Sequence, residues 1–170
     1  MTNETSSSDK TFRMLIGDDA FASQRNAEDA LFLMVMGMQK VTGRKAVEGR
    51  FTNGKIYVLP EFPLDGFDSA EVRVASSVEE MINAASRRYD LIATDMNYGQ
   101  GYATGGKDVL RSQTVRQNPA VKAVFTSEDN PEILEELANL GAGIVVSPML
   151  MKSKEDKATL LGRAIGHYYH

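Results

Sequence analysis

Carboxylate and hydroxyl side chains follow three short apolar segments of the chain, each at the point where the segment ends. Asp18 and Asp19 come after the first segment, Asp95 after the second and Thr126 after the third. The carboxyl ends of neighbouring parallel strands open into one crevice, where ligands usually bind. Clustered carboxylates repel one another unless a cation neutralises them, and Mg²⁺ prefers such oxygen ligands. The sequence therefore predicts an acidic, Mg²⁺-binding pocket with a hydroxyl group beside it.

The elements that must position these residues alternate between short apolar strands and helical stretches. This alternation predicts an α/β fold, a doubly wound parallel sheet with helices on both faces. We expect five strands in the flavodoxin-like order 2-1-3-4-5. The expected strands lie at residues 12–16, 71–75, 90–94, 121–125 and 143–146, and the expected helices at 21–39, 78–87, 107–117, 131–140 and 154–169.

Two segments interrupt the alternation. Residues 41–70 separate the first helix from the second strand and contain Asn53-Gly54 between apolar stretches, which predicts an inserted hairpin. Residues 97–106 form a glycine-rich loop after the third strand. The stretch 101–107 matches the start of a phosphate-binding loop, but Asp108 stands where a Ser or Thr should bind Mg²⁺, so a surface loop is favoured over nucleotide binding.

Length and composition narrow the class of protein. The 170 residues predict one domain over 11–170, after a flexible Ser-rich tail at 1–10. The net charge of −4 argues against nucleic-acid binding. The chain has no cysteine and only two histidines, which excludes disulfides and disfavours a zinc site. No apolar run is long enough for a membrane span and no signal pattern is present, so a cytoplasmic location is expected.

The order of the motifs resembles the receiver domain of bacterial and archaeal two-component response regulators. Residues 14–19 are similar to the first strand with its acidic pair, and residues 89–96 to the third strand with its phosphoacceptor. Residues 124–127 and 130–148 are similar to the strand that ends in the signalling hydroxyl and to the helix and strand after it. The resemblance covers residues 12–169 apart from the two interruptions.

This resemblance implies a role for each residue of the pocket. Asp95 would accept a phosphoryl group from a sensor histidine kinase or phosphotransfer protein. Asp18, Asp19, Asp95 and the Asn97 carbonyl would bind Mg²⁺, and Thr126 would hydrogen-bond the phosphoryl group. The chain would be a stand-alone phosphoacceptor signalling domain rather than an enzyme. Its output would be contact with a downstream protein or with a second copy of itself.

The chain departs from the family pattern near the fifth strand. Ser147 stands where the family has a lysine that pairs with the phosphoryl group, and Ile144 stands where it has a switch aromatic. Lys107 and Lys152 are candidates for a replacement cation. Pro148 does match the family, and the resemblance implies a cis peptide bond before it.

Several alternatives stay open from the sequence. The chain could be a pseudo-receiver, a protein-interaction module that works without phosphorylation and binds through residues 41–70. It could also be a Mg²⁺-dependent phosphohydrolase with Asp95 as nucleophile, although Asn97 cannot serve as the general acid. The basic residues of the insertion favour a solvated face over an anionic-partner site. The Met-rich stretch 33–38 is predicted to pack in the core, with a partner surface as the alternative.

Overall fold

The computed structural model describes residues 10–99, 104–128 and 130–170. Its strands are β1 (Thr11–Gly17), β2 (Arg50–Phe51), β3 (Ile56–Leu59), β4 (Ser69–Ala75), β5 (Leu91–Asp95), β6 (Val121–Phe125) and β7 (Ile144–Val146). Its helices are α1 (Gln24–Thr42), α2 (Val78–Ala84), α3 (Gly105–Arg111), α4 (Gln113–Gln117), α5 (Pro131–Asn139) and α6 (Lys157–Tyr169), with a 3₁₀ turn at Asp19–Ala22.

All these strands belong to one sheet, in the order β2-β3-β4-β1-β5-β6-β7. The run from β4 to β7 is parallel, whereas β2 and β3 pair antiparallel with each other and β3 pairs antiparallel with β4. The predicted α/β fold with a mostly parallel sheet is confirmed. The sheet has seven strands rather than five, because the insertion hydrogen-bonds to the outer side of β4 and adds two antiparallel strands to the five parallel ones.

The central strand β1 is buried on both faces, as a strand covered by helices on both sides must be. Phe12, Met14 and Ile16 belong to the core under α1 and α6. Leu15 points the other way and joins Met81 of α2 in a second core, which also includes side chains of α3 and α4. Because successive strand residues alternate between faces, each strand end is fixed between two packed layers.

Helices α1 and α6 approach so closely that their contact depends on two glycines. A Cβ atom at Gly37 would lie closer than 3.0 Å to the backbone of Thr159, and a Cβ at Gly162 closer than 3.0 Å to the backbone of Met34. Met34 and Met38 are fully buried at this contact, which confirms core packing for these two methionines. The two helices therefore form one tightly packed layer.

Two of the predicted helices have other bounds in the structure. α6 begins at Lys157, later than predicted, because Asp156 is extended and its side chain accepts the N–H of Ala158. The single helix predicted at 107–117 is wrong: the non-helical backbone of Ser112, with φ −57° and ψ 133°, divides it into α3 and α4.

The described residues contain no cis peptide bond, so the cis bond expected before Pro148 is wrong. The trans form is the lower-energy isomer of an X–Pro bond. The segment after it closes through backbone hydrogen bonds from Met151 to Ser147 and from Ser153 to Pro148.

Some sequence predictions concern residues that the structure does not describe. The tail expected at 1–10 lies outside the described residues, except for Lys10, as do residues 100–103 of the glycine-rich loop. Among the helices that are described, none has the length and apolar character needed to cross a lipid bilayer.

Candidate functional site

The three acidic side chains predicted to meet do so at the carboxyl ends of β1 and β5. One carboxylate oxygen from each of Asp18, Asp19 and Asp95 lies within 4.8 Å of the other two. The register that pairs Gly17 of β1 with Thr94 of β5 brings the two strand ends side by side. Asp95 is buried and Asp19 is exposed, so the cluster reaches from the sheet to the surface.

Asp18 caps a turn and also belongs to the carboxylate cluster. Its Oδ1 accepts a hydrogen bond from the backbone N–H of Ala20 at 3.0 Å and so caps the 3₁₀ turn. Burial, followed by the charge of Asp95, raises the pKa of Asp18 to about 7. The fold therefore holds this carboxylate where its ionised form lacks solvation and faces another negative charge.

Asp95 lies at the end of β5, where burial and the neighbouring groups shift its pKa in opposite directions. Burial has the largest effect and raises the pKa of Asp95, whereas the charge of Lys157 and the N–H of Asn97 act in the opposite direction. The Lys157 Nζ lies 3.8 Å from the Asp95 Oδ1 and 5.8 Å from the ring centre of Phe125. The Asn97 N–H donates to the same Oδ1 at 3.4 Å. Two donor groups thus favour the ionised, nucleophilic form of a buried carboxylate.

Thr126 follows β6 and is buried next to the cluster, as predicted from its position at a strand end. Its Oγ1 accepts the N–H of Glu128 at 3.0 Å, so the hydroxyl keeps its own proton for another acceptor. The Ser147 hydroxyl donates to the carbonyl of Glu128. Ser147 therefore holds the segment after Thr126 in place and supplies no charge to Asp95.

A cavity of about 310 Å³ opens beside Asp95. It is lined by Asp19, Asp95, Met96, Asn97, Gly99, Thr126, Ser127, Glu128 and Lys157. The lining brings together four of the residues predicted for the site, and Asp18 joins them through the carboxylate cluster. The volume and the polar lining suit a small polar group with a few waters rather than a large apolar ligand.

The two lysines suggested from the sequence as replacement cations do not lie at the site. The Lys107 Nζ is 2.6 Å from the Glu136 Oε2, and Lys152 is exposed and forms no ion pair within the described residues. The cation that lies at the site is Lys157, which sequence reasoning missed. The signal that could have identified it is Asp156, whose capping preference places Lys157 at the start of α6.

Tyr98 is a second residue that sequence reasoning missed. Its buried hydroxyl lies 2.7 Å from the Thr94 Oγ1, which in turn donates to the Asp95 carbonyl. The Asn97 side chain accepts the N–H of Gly99 at 2.8 Å. These contacts anchor the segment immediately after Asp95.

The donor set fits a hard divalent cation. The three clustered carboxylates supply oxygen ligands of the kind that Mg²⁺ prefers, and Asn97 lines the cavity beside them. The raised pKa values of Asp18 and Asp95 reflect burial and, for each, repulsion from a neighbouring carboxylate. A bound cation would relieve that repulsion.

No family model matches the chain, and no curated protein matches it at a significant level. Solved structures do. A CheY-like response regulator receiver domain protein from Methanospirillum hungatei aligns with a TM-score of 0.55 at 15% identity, over 94% of both chains. A response regulator receiver domain protein from Clostridium thermocellum aligns with a TM-score of 0.53 at 18% identity, over 92% of both. The phosphorylated cyanobacterial phytochrome response regulator RcpA aligns with a TM-score of 0.51 at 14% identity, over 94% of both. The chain therefore has the fold of response regulator receiver domains, as its motifs indicated.

Proposed function

We propose that this chain is a phosphoacceptor domain of two-component signal transduction, in which Asp95 receives the phosphoryl group. The observation that carries the proposal is the meeting of the Asp18, Asp19 and Asp95 carboxylates beside a small polar cavity that Thr126 and Lys157 also line. This arrangement occurs in a domain with the receiver fold. A sensor histidine kinase or a phosphotransfer protein would be the donor.

The transfer would use the ionised carboxylate of Asp95 as nucleophile. One of its oxygens attacks phosphorus while the bond from phosphorus to the donor's histidine nitrogen breaks, and that nitrogen leaves with the electron pair. Lys157 and the Asn97 N–H oppose the effect of burial on the pKa of Asp95, and both favour the ionised carboxylate. Because such transfers depend on alignment and on charge compensation, the fixed position of Asp95 at a strand end contributes directly.

Asp18, Asp19, Asp95 and the Asn97 carbonyl would hold Mg²⁺. When bound, the ion compensates negative charge on the carboxylates and on the transferring group. Protonation of Asp18 would compete with Mg²⁺ binding, because the raised pKa of Asp18 lets a proton occupy its carboxylate at neutral pH.

Thr126 would report the new charge. Its hydroxyl can donate to a phosphoryl oxygen while it still accepts the N–H of Glu128, so its rotation is coupled to the segment before α5. A phosphoryl group brings about −1.5 to −2 charge units to the site. A downstream protein or a second copy of the chain would read the resulting change.

A protein-interaction module of the same fold that works without phosphorylation is the second candidate. Ser147 favours it, because its hydroxyl is bonded to the Glu128 carbonyl and brings no cation to the position where the family has one. In that case the inserted hairpin, β2 and β3, would be the first surface to search for a partner.

One experiment separates the two candidates. Intact mass would be measured after incubation with acetyl phosphate and Mg²⁺ for the wild type, Asp95→Asn and the control Asp29→Asn, which changes an exposed carboxylate of α1. We expect one phosphoryl group on the wild type and the control and none on Asp95→Asn. Equal gain by Asp95→Asn would contradict the assignment of the acceptor. No gain by the wild type with either acetyl phosphate or phosphoramidate would favour the interaction module.

A further inference from the structure

Lys157 reaches Asp95 from the last helix of the chain. Its Nζ lies 3.8 Å from the Asp95 Oδ1 and lines the same cavity as Thr126, and its side chain is 32% exposed. We infer that Lys157 binds the phosphoryl group on Asp95 and thereby connects the state of the site to the first turn of α6. This inference rests on the proposed function and names a residue and an element through which it would be regulated.

The Lys157 ammonium is not hydrogen-bonded to Asp95 and could approach another anion more closely. A charge-assisted hydrogen bond between an ammonium and an anionic oxygen measures about 2.7–2.9 Å, so the observed 3.8 Å is an ion pair without a direct hydrogen bond. A phosphoryl group on Asp95 adds three acceptor oxygens on the cavity side of the carboxylate. The face of Phe125, 5.8 Å from the Nζ, keeps the ammonium near the cavity by a cation–π contact.

Neighbouring cations are held by other carboxylates. Lys107 pairs with Glu136 at 2.6 Å, while Arg163 and Lys40 both pair with Glu155, at 2.5 and 3.7 Å. Within the described residues, the ion pair to Asp95 is made by Lys157 alone. Among the side-chain cations of the described residues, Lys157 is therefore the one placed to compensate charge on a phosphoryl group beside a bound Mg²⁺.

The position of Lys157 determines which element would respond. It is the first residue of α6, whose start is fixed by Asp156 through the Ala158 N–H at 2.8 Å. A displacement of its backbone thus acts on the beginning of the helix. α6 is packed against α1 through Gly37 and Gly162 with no space for a side chain, so these two helices would respond together.

The first test compares the rates of phosphorylation. Acetyl phosphate with Mg²⁺ transfers its phosphoryl group when the Asp95 oxygen bonds to phosphorus and the bond from phosphorus to the acetyl oxygen breaks, releasing acetate. We expect Lys157→Ala to gain phosphate about 10- to 100-fold more slowly than the wild type, as loss of one charge-assisted hydrogen bond predicts. Lys154→Ala removes the same charge from an exposed side chain nearby and should keep the wild-type rate. Lys157→Arg should recover part of the rate.

The second test measures the response of α6 itself. Hydrogen exchange of the amides of residues 160–164 would be followed by mass spectrometry with and without beryllium fluoride and Mg²⁺, a phosphoryl analogue. We expect exchange in this segment to change on addition of the analogue in the wild type and in Lys154→Ala, and to stay constant in Lys157→Ala. A merely structural role of Lys157 would alter basal exchange but leave the response in place.

The outcomes separate this inference from the proposed function. Phosphorylation of Lys157→Ala at the wild-type rate, or an undiminished response of its α6, would overturn the inference and leave the phosphoacceptor proposal standing. Failure of the wild type itself to gain phosphate would overturn both. Circular dichroism checks that the variant is folded, and Lys157→Gln, which keeps more of the side-chain stem, replaces Lys157→Ala if it is not.

Discussion

Asp18 shows most clearly that bringing the carboxylates of the site together destabilises the folded protein. Its pKa of about 7 in the folded protein lies above the 3.8 of the free group, because it is buried and faces Asp95. Between these two values Asp18 binds more protons in the folded state than in the unfolded state, so its contribution to stability falls as the pH rises. In EDTA, we expect the urea midpoint of unfolding to increase when the pH is lowered from 8 to 5.

The variant Asp18→Asn tests the cause of that dependence. The amide oxygen can still accept the N–H of Ala20, while the charge opposed by burial and Asp95 is gone. We expect the metal-free variant to gain about 1 kcal/mol at pH 8 and to show a flatter pH profile. Asp29→Asn is the matched control. An unchanged profile in Asp18→Asn would show that another group titrates.

The carboxylates of the site were predictable from the sequence, whereas its cation was not. Asp18, Asp19 and Asp95 end apolar strands, and parallel strands must bring their carboxyl ends together. Lys157 depends on how the segment between β7 and α6 folds and on where Asp156 starts the helix. That segment carries no periodic pattern, so charge alone made Lys107 and Lys152 equally plausible.

At the scale of elements, the close contact between α1 and α6 predicts a large loss of stability when a side chain is added there. Gly162→Ala places a methyl group against the backbone of Met34, which cannot move away as a flexible side chain could. We expect a loss of about 2–4 kcal/mol in the free energy of unfolding. In the control Gly143→Ala, the new atom meets Val121 at an ordinary 3.7 Å. The free energies of unfolding of both variants would be measured by urea denaturation. An equal loss in the two variants would contradict the close contact.

The turn between β2 and β3 depends on backbone conformation rather than on space. Gly54 has φ +78°, in the left-handed region, and the Asn53 side chain accepts the N–H groups of Lys55 and Ile56. We expect Gly54→Ala to lower the free energy of unfolding by about 1–2 kcal/mol. Gly54→Asn should lose less, because asparagine tolerates this region. Equal losses in urea denaturation would point to a different cause.

The elements missed by sequence reasoning share a physical cause. Strand and helix positions followed apolar periodicity, and β6 was predicted at its observed limits. No glycine or proline lies next to Ser112 to indicate the break in the helix. Pairing within the inserted segment could be inferred from Asn53-Gly54, but its hydrogen bonding to β4 depends on long-range contacts that a local pattern does not contain.

At the scale of the whole molecule, cation binding should stabilise the fold. A ligand that binds only the folded state at a concentration of about 100 times its Kd adds about 2.7 kcal/mol. We expect Mg²⁺ to raise the melting temperature of the wild type at pH 8, and to have a much smaller effect on Asp18→Asn and Asp95→Asn. Sodium chloride of the same ionic strength is the control. An equal rise with both salts would indicate general screening instead of a site.

The inserted hairpin also determines what the sheet presents to other molecules. Without it, β4, seven residues long, would be an edge strand whose unpaired N–H and C=O groups could template a strand from another chain. β3 pairs with residues 70–73 of β4, and the sheet now ends in β2, which has two residues, one of them Arg50. The opposite edge strand, β7, has three. The insertion therefore protects the edge of the sheet against edge-to-edge pairing with other chains.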